Sequence, residues 1–136
     1  MKAIVTGAIS ALMLTACADG YDKTAMPGAS EAVRYASLSC ETKWAVKEIT
    51  SYSEMAACSL AAERKFFTAI KLKKMDKFEA YAARYQRLAA MRDTGRIVDS
   101  QASFQANKIL RDFYTECGCA KQTVISSAYL PGLHVD

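Results

Sequence analysis

Apolar residues recur at three- and four-residue intervals over most of the chain, a spacing typical of amphipathic helices. From Ser30 to Thr94 the sequence contains neither glycine nor proline and is rich in strong helix formers. Another helix is predicted from Asp99 or Ser100 to Cys117, where apolar residues again share one face. No stretch alternates convincingly as a strand would. The pattern therefore predicts an all-α fold, a small antiparallel bundle of three to four helices, with a helical domain over residues 30–120.

Capping signals predict where these helices begin and end. Ser30 is suited to cap the first helix. Ser51 and Glu54 match a capping box, in which each side chain bonds the other residue's backbone N–H, and this box would start a second helix. Gly95 is suited to end a later helix, because glycine readily adopts the left-handed conformation found there. The predicted turns therefore lie near residue 50 and near residue 95.

A further break between these two turns is less clearly marked. Residues 53–93 would form a helix about 60 Å long if it were unbroken, much longer than a compact domain of this size. Asp76 and Glu79 could cap a new helix by the same reciprocal bonding. The preceding residues suit a helix C-terminus, where cations complement exposed carbonyls: Lys71, Lys73 and Lys74. A break is favoured, with one long helix as the alternative.

The beginning of the chain carries a different pattern. Lys2 precedes an apolar stretch from Ala3 to Leu14, and small residues follow. A positive start, a short apolar segment and small residues at the cut are typical of a secretory signal peptide. Residues 1–16 are therefore predicted to be removed on export.

The end of this segment, Leu14, Thr15, Ala16 and Cys17, resembles the lipobox of bacterial lipoproteins: an aliphatic residue, two small residues and a cysteine. The resemblance covers only about the first 17 residues. It implies diacylglycerol transfer to the Cys17 sulfur, cleavage before Cys17 and acylation of the new amino terminus. Several acyl chains on one residue anchor a protein durably, because each buried methylene adds about 0.8 kcal/mol.

The lipobox implies a location in the bacterial cell envelope. Ala18 follows the cysteine. An aspartate at this position would resemble an inner-membrane sorting signal, so the alanine favours the periplasmic face of the outer membrane over the inner membrane. Residues 17–29 contain Gly, Pro and Asp without apolar periodicity, and are predicted to be the lipidated cysteine and a flexible tether. Residues 121–136 are predicted to be a C-terminal tail.

Four further cysteines remain after processing: Cys40, Cys58, Cys117 and Cys119. Disulfides persist in an exported protein, and an even number fits two bridges that brace the bundle. Cys40 and Cys58 would lie at similar heights across a hairpin that turns near residues 50–52, which leaves Cys117 and Cys119 to each other. The alternative pairs Cys40 and Cys58 with the last two cysteines, and the two arrangements stand at even odds.

The Cys117-Gly118-Cys119 motif also allows two chemical interpretations. A bridge between these cysteines would close a tight ring, and such a disulfide is readily reduced, which is what a thiol-redox protein requires. Two thiolates can also bind a soft metal. However, the only histidine is His134, near the end of the sequence, and the spacing matches no common zinc pattern. Structural bridging is the favoured interpretation, and no metal site is predicted.

Positive charge is concentrated in residues 63–96, which hold ten basic residues against four acidic ones. Aromatic residues are interleaved at helical spacing, and these are expected to form part of the core. The basic side chains would then be either a solvated face or a contact surface for an anionic envelope surface or an envelope protein. They are Arg64, Lys65, Lys71, Lys73, Lys74, Lys77, Arg84, Arg87, Arg92 and Arg96. Nucleic acid is not expected as a partner of an exported protein.

Catalytic signatures are missing from the sequence. A single histidine leaves no Ser-His-Asp or Cys-His arrangement. There is no phosphate-binding glycine loop and no metalloprotease motif, so no catalytic residue and no cofactor is expected. The sequence favours a structural or interaction lipoprotein, with an accessory subunit of a secretion or conjugation machine as a candidate role. The alternative is a thiol-redox or soft-metal-handling lipoprotein that uses the Cys-Gly-Cys motif.

Overall fold

The computed structural model describes residues 20–117 and Cys119, and these form an antiparallel bundle of four helices. Within these residues no strand occurs, so the predicted all-α bundle is confirmed. Contacts run chiefly between successive helices, which alternate in direction. A short 3₁₀ helix, Lys23–Ala25, precedes the bundle, whose helices are α1 (Met26–Ala45), α2 (Tyr52–Ala69), α3 (Met75–Asp93) and α4 (Asp99–Cys117).

The start of α2 is the capping box that the sequence predicts. The Ser51 hydroxyl accepts a hydrogen bond from the Glu54 N–H at 3.1 Å, and the Glu54 carboxylate accepts one from the Ser51 N–H at 3.2 Å. The Glu54 carboxylate also accepts from the Thr50 N–H at 2.8 Å, and this bond, followed by the one from the Ser51 N–H, lowers the pKa of Glu54. The sequence alone therefore identified this helix start correctly.

The first three helices end in the same way, with a residue in the left-handed conformation. Gly95 has φ +67° after α3, as predicted, and the Arg96 N–H donates to the Met91 carbonyl at 2.9 Å in a Schellman motif. Lys47 after α1 and Lys71 after α2 take the same role with φ of 64° and 53°. A lysine stands in both places where glycine is usual.

The break between α2 and α3 is real, so residues 53–93 form two helices. The predicted cap at Asp76 and Glu79 is wrong. Lys74 is the residue at the helix start and makes no side-chain capping bond. Glu79 instead receives two hydrogen bonds from Arg64 of α2, both at 2.8 Å. An ion pair between helices has displaced the local cap.

The predicted first boundary is also wrong. Helix α1 begins at Met26 rather than after Ser30, and Ala29 is buried. Pro27 stands in the first turn of the helix, where a missing N–H costs nothing because that N–H has no helical acceptor. Residues 20–29 are therefore an ordered part of the domain and not a flexible tether.

The core lies between α2, α3 and α4 and is built on aromatic rings. The predicted stripe on α2 and α3 is buried, and Phe67 packs edge-on against Phe113 of α4 with ring centroids 5.2 Å apart. A separate smaller cluster holds Cys40, Ile49 and Met55, where α1 and α2 meet. The fold is thus an aromatic three-helix core with α1 attached to one side.

Candidate functional site

The predicted lipidation site lies next to the part of the chain that the structure describes. Cys17, the predicted signal peptide at 1–16, Gly118 and the predicted tail at 121–136 lie outside the described residues. Gly20, the first described residue, is three positions after Cys17 in the sequence. The way Gly20 is held therefore decides which part of the bundle adjoins the predicted anchor.

Gly20 is held at the end of the bundle where α2 stops and α3 starts. Its carbonyl accepts a hydrogen bond from the Lys73 N–H at 2.7 Å, and the Asp22 N–H donates to the Ile70 carbonyl at 2.6 Å. A Cβ atom added to Gly20 would lie 3.0 Å from the Cys117 carbonyl oxygen of α4. The amino-terminal segment therefore lies close to both the α2–α3 turn and the end of α4.

This end of the bundle carries a cluster of lysines, which we call the lysine end: Lys23, Lys71, Lys73, Lys74 and Lys77. The Lys71 side chain is 79% exposed, and its Nζ is 3.9 Å from the Asp22 carboxylate. Lys74 donates to the Glu116 carbonyl at 3.1 Å, a favourable place for a cation because the last carbonyls of α4 are exposed there.

Within the part of the chain that the structure describes, three carboxylates lie among these lysines: Asp22, Asp76 and Glu116. Asp22 accepts bonds from the N–H and the hydroxyl of Thr24, and these bonds lower its pKa. Glu116 is 3.9 Å from Lys77, a loose contact between half-exposed side chains. The lysine end is therefore positive on balance, with five cations against three anions.

The other basic residues of the predicted surface do not join this cluster. Arg84 of α3 contacts Asp112 of α4 at 3.1 Å, and this contact together with Lys108 lowers the pKa of Asp112. Arg92 lies at the opposite end of α3, where it contacts Asp99 at 2.8 Å. The remaining predicted residues also lie apart: Arg64 is paired with Glu79, Lys65 lines a groove beside α1, Arg87 lines a groove between α3 and α4, and Arg96 follows α3.

The basic segment thus supplies several separate contacts, and only four of its ten residues belong to the lysine end. These four are Lys71, Lys73, Lys74 and Lys77. Their common position at the α2–α3 turn, next to Gly20, is the feature that the density of charge along the sequence did not reveal.

A buried carboxyl group in the core was not anticipated. Glu63 of α2 is 3% exposed, and its Oε1 completes no hydrogen bond within the described residues. The hydroxyl of Tyr81 lies beside it and likewise completes none. Burial raises the pKa of Glu63 to about 8, an effect that the Tyr81 hydroxyl partly offsets. Glu63 is therefore mostly neutral at pH 7.

Three tyrosines surround this carboxyl group. Burial raises the pKa of Tyr81, Tyr85 and Tyr114, and the proximity of Glu63 raises each of them further. A sequence signal for this site did exist. Glu63 follows Leu60 by three positions and precedes Phe67 by four, which places it on the apolar face of α2.

The disulfides resolve the alternatives left open by the sequence. Cys40 and Cys58 are bonded across α1 and α2, with their Cα atoms 5.9 Å apart. Cys117 and Cys119 are bonded to each other at the end of α4, and both are buried. The arrangement that would tie α4 to the first two helices is therefore not formed.

A shallow apolar groove runs between α1 and α2, with a volume of about 210 Å³. It is lined by Ala29, Ala32, Val33, Ala36, Ala62, Lys65, Phe66 and Ala69. On α1, Tyr35 and Leu38 are also exposed, at 58% and 44%. Leu38 is about half a turn around the helix from the α1 residues that line the groove, so it lies on a different face of α1.

None of the helices between residues 20 and 117 is long and apolar enough to cross a bilayer. The same residues and Cys119 contain no group of three or more His, Cys, Asp or Glu side chains that could hold a metal ion.

Comparisons of the chain with protein-family models, with curated proteins and with solved structures found no match.

Proposed function

We propose that the protein is a lipid-anchored lipoprotein of the bacterial cell envelope that acts as a structural or interaction factor. The observation that carries this proposal is the lipobox-like sequence from Leu14 to Cys17 at the end of an apolar segment. We place the protein on the periplasmic face of the outer membrane, since Ala18 follows the cysteine.

The proposed role is to contact other envelope components and not to catalyse a reaction. The exposed Tyr35 and Leu38 of α1 supply a surface for an envelope protein. Exposed aromatic and aliphatic side chains of this kind are enriched at protein contacts. An accessory subunit of a secretion or conjugation machine is one assignment compatible with such a domain, on the analogy of size, anchor and helicity alone.

The lipid anchor is tested by the mass of the chain after expression in a bacterium that processes lipoproteins. We expect the wild-type chain to lack residues 1–16 and to carry acyl groups on Cys17, which labelled palmitate would report. Cys17→Ala should leave the chain unacylated and uncleaved, whereas Thr15→Ser keeps a small residue and should be processed normally. A cleaved wild-type chain without acyl groups would contradict the proposal.

The interaction role is tested by cross-linking in intact cells, followed by identification of the partners by mass spectrometry. We expect Tyr35→Ser together with Leu38→Ser to reduce recovery of the partner without loss of folding. Val98→Ser and Phe104→Ser, which change exposed apolar residues far from α1, are the matched control. A Cys17→Ala chain that remained fully functional and partnerless would contradict the proposed role.

The alternative role as a thiol-redox protein rests on the observed bond between Cys117 and Cys119. Exchange requires an attacking thiolate to reach one of the sulfurs, and both cysteines are buried. Titration of the folded protein with dithiol buffers of known potential would test this role. Reduction of this pair alone, at a potential where Cys40 and Cys58 remain bonded, would favour the redox assignment.

A further inference from the structure

We infer that the lysine end of the bundle rests on anionic phospholipid headgroups of the leaflet that holds the lipid anchor. This inference depends on the proposed acylation of Cys17. It assigns an orientation to the domain, with one end on the membrane and the opposite end directed away from it.

The first argument is the short distance that the chain can cover. Gly20 is three positions after Cys17, and an extended chain spans at most about 3.6 Å per residue, or roughly 11 Å in all. Gly20 is held to the bundle by its own bond to the Lys73 N–H and by the neighbouring bond between Asp22 and Ile70. The anchor therefore cannot lie farther than this distance from Gly20, which is bonded to the α2–α3 turn. A flexible tether reaching to residue 29 would instead have allowed almost any orientation of the domain.

The second argument is the length of the bundle. Helices of 18 to 20 residues are about 27–30 Å long. The end that carries Trp44, Tyr52 and Asp93 is thus roughly 30 Å from the end that carries Gly20. With the anchor at one end, the residues closest to the headgroups are those that surround Gly20.

The third argument is charge complementarity. The lysine end carries five lysines and three carboxylates. The opposite end, which we define as residues 43–54 and 91–101, carries four basic and four acidic residues. The cytoplasmic and periplasmic leaflets of bacterial membranes offer phosphate groups, and basic residues close to an anionic surface are attracted to it. Lys71 and Lys73 are exposed. The ammonium group of a lysine acts as a point charge, so it binds phosphate oxygens without demanding a fixed geometry.

The acidic residues at this end offset only part of its positive charge, because among the described residues five lysines stand against three carboxylates. Asp22 contacts Lys71 and Glu116 contacts Lys77, both at 3.9 Å, so these two lysines are partly neutralised within the protein. The Lys73 ammonium has no acidic residue recorded within ion-pair distance among the described residues. The net positive charge is therefore available at the outer surface of the turn.

The test uses the native acylated chain and its own lysines. The purified protein is inserted into vesicles of phosphatidylcholine alone, or into vesicles in which phosphatidylglycerol replaces about a third of it. Lysines are acetylated with a water-soluble reagent, and the rate at each position is read by mass spectrometry. We expect Lys71 and Lys73 to react roughly five-fold more slowly in the anionic vesicles. Lys43 and Lys47, at the opposite end, are the internal control and should react at the same rate in both.

Salt and substitution separate headgroup contact from simple steric shielding. At about 0.5 M salt, where the screening length falls to roughly 4 Å, the protection should disappear. Lys71→Glu with Lys73→Glu should abolish the protection of Lys74 and Lys77, while the matched control Lys43→Glu with Lys47→Glu should preserve it. Far-ultraviolet circular dichroism and thermal unfolding confirm that each variant is folded.

The outcomes distinguish this inference from the proposal on which it rests. A chain whose mass shows no acyl groups would overturn both. An acylated chain in which Lys71 and Lys73 react as fast as Lys43 and Lys47 would overturn the orientation alone. Protection that occurs in native envelopes but in neither kind of vesicle would also overturn it, because a protein partner and not lipid would then cover the lysine end.

Discussion

The two ends of the bundle are closed by different kinds of bond. At the opposite end, side chains make the connections: the Asp93 carboxylate of α3 accepts from the N–H groups of Tyr52 and Ser53 at 2.7 and 2.9 Å. Arg92 stacks 3.7 Å from the centre of the Tyr52 ring and pairs with Asp99. Arg92, Asp93 and Asp99 are therefore engaged within the protein.

At the lysine end, backbone groups make the main connections, through Gly20 with Lys73 and Asp22 with Ile70. Backbone bonds leave the side chains of the same residues directed elsewhere. Lys73 therefore contributes its N–H to the fold and keeps its ammonium group for contacts outside the protein. A residue that closes the bundle through its backbone can keep its side-chain charge at the surface, as Lys73 does, whereas Asp93 closes the opposite end through its carboxylate.

The two disulfides provide the strongest test of this difference. Cys40 and Cys58 are 18 positions apart and join two helices, whereas Cys117 and Cys119 are two positions apart. On the chain-entropy account, cross-linking a loop of this first length stabilises the fold by about 3 kcal/mol, and the short loop contributes roughly half of that. Urea unfolding of Cys40→Ala/Cys58→Ala should show the larger loss. Equal losses in Cys117→Ala/Cys119→Ala would mean that the short bridge holds the lysine end together.

The buried Glu63 lies between the two ends and should make stability depend on pH. Its pKa is about 8 in the fold, raised from 4.5. The unfolded chain loses this proton first, so the stability that Glu63 contributes is greatest below about pH 4.5 and falls as pH rises towards 8. The loss from about pH 5 to about pH 7 is on the order of 2.5 kcal/mol.

Glu63→Gln should remove this slope, which urea unfolding at several pH values would measure. The groups that face Glu63 are Tyr81 and Tyr85 of α3 and Tyr114 of α4, and none of these ionises in that range. Hydrogen exchange should slow at both ends of the bundle in the variant. A response at one end only would show that the core does not connect the two ends.

The bonds of Asp93 allow the opposite end to be weakened by itself. Asp93→Ala removes the acceptor of two N–H groups at the start of α2, and loss of such a cap costs about 1–2 kcal/mol. Glu48→Ala, an exposed acidic residue at the same end, is the control and should change stability by less than about 0.5 kcal/mol. Thermal unfolding measures both. An Asp93→Ala chain as stable as the control would mean that water replaces the carboxylate without loss.

The smallest expected effect concerns the two lysines with positive φ. Lys71→Gly and Lys47→Gly each relieve a left-handed conformation, and each should stabilise the protein by up to about 1 kcal/mol. Because the two substitutions relieve the same backbone conformation, the gain in stability should be equal at the two ends of the bundle. Only Lys71→Gly should reduce the salt-sensitive protection of the lysine end on anionic vesicles. Equal effects of both substitutions on protection would contradict the proposed orientation.

Local signals predicted much of the fold. Ser51 with Glu54 and the glycine at position 95 act within a few residues of themselves, so their roles do not depend on the rest of the chain. Asp76 with Glu79 matched the same capping pattern and failed, because Arg64 on another helix offered Glu79 a bidentate partner. Local patterns are reliable until a distant side chain competes for the same group.

The start of the domain shows the same limit. Gly and Pro around residue 27 indicate a linker when they are considered alone, yet Pro27 occupies the first turn of α1, and the buried Ala29 packs into the core. The hydrogen bonds of Gly20 and Asp22 go to a turn some 50 residues later in the chain. No pattern near residue 20 could have indicated those acceptors.

The candidate sites also combine features that were visible in the sequence with features that depend on contacts between helices. The density of basic residues in 63–96 was visible in the sequence, but the acidic partners of Arg64, Arg84 and Arg92 lie on other helices or beyond the segment. The pairing of the cysteines was likewise open until the heights of Cys40 and Cys58 on adjacent helices were known. Glu63 was present on an apolar face, but the three tyrosines around it come from two other helices.

By itself, the sequence determined the helical class, two of the turns between helices and the lipobox-like prediction for Cys17, because each depends on neighbouring residues or on a short processing signal. Tertiary structure alone decided which lysines share one end, which acids neutralise the other basic residues, and how close Gly20 lies to the α2–α3 turn. These features depend on contacts between residues far apart in the chain. Such contacts form only when burial of the aromatic core brings the helices together.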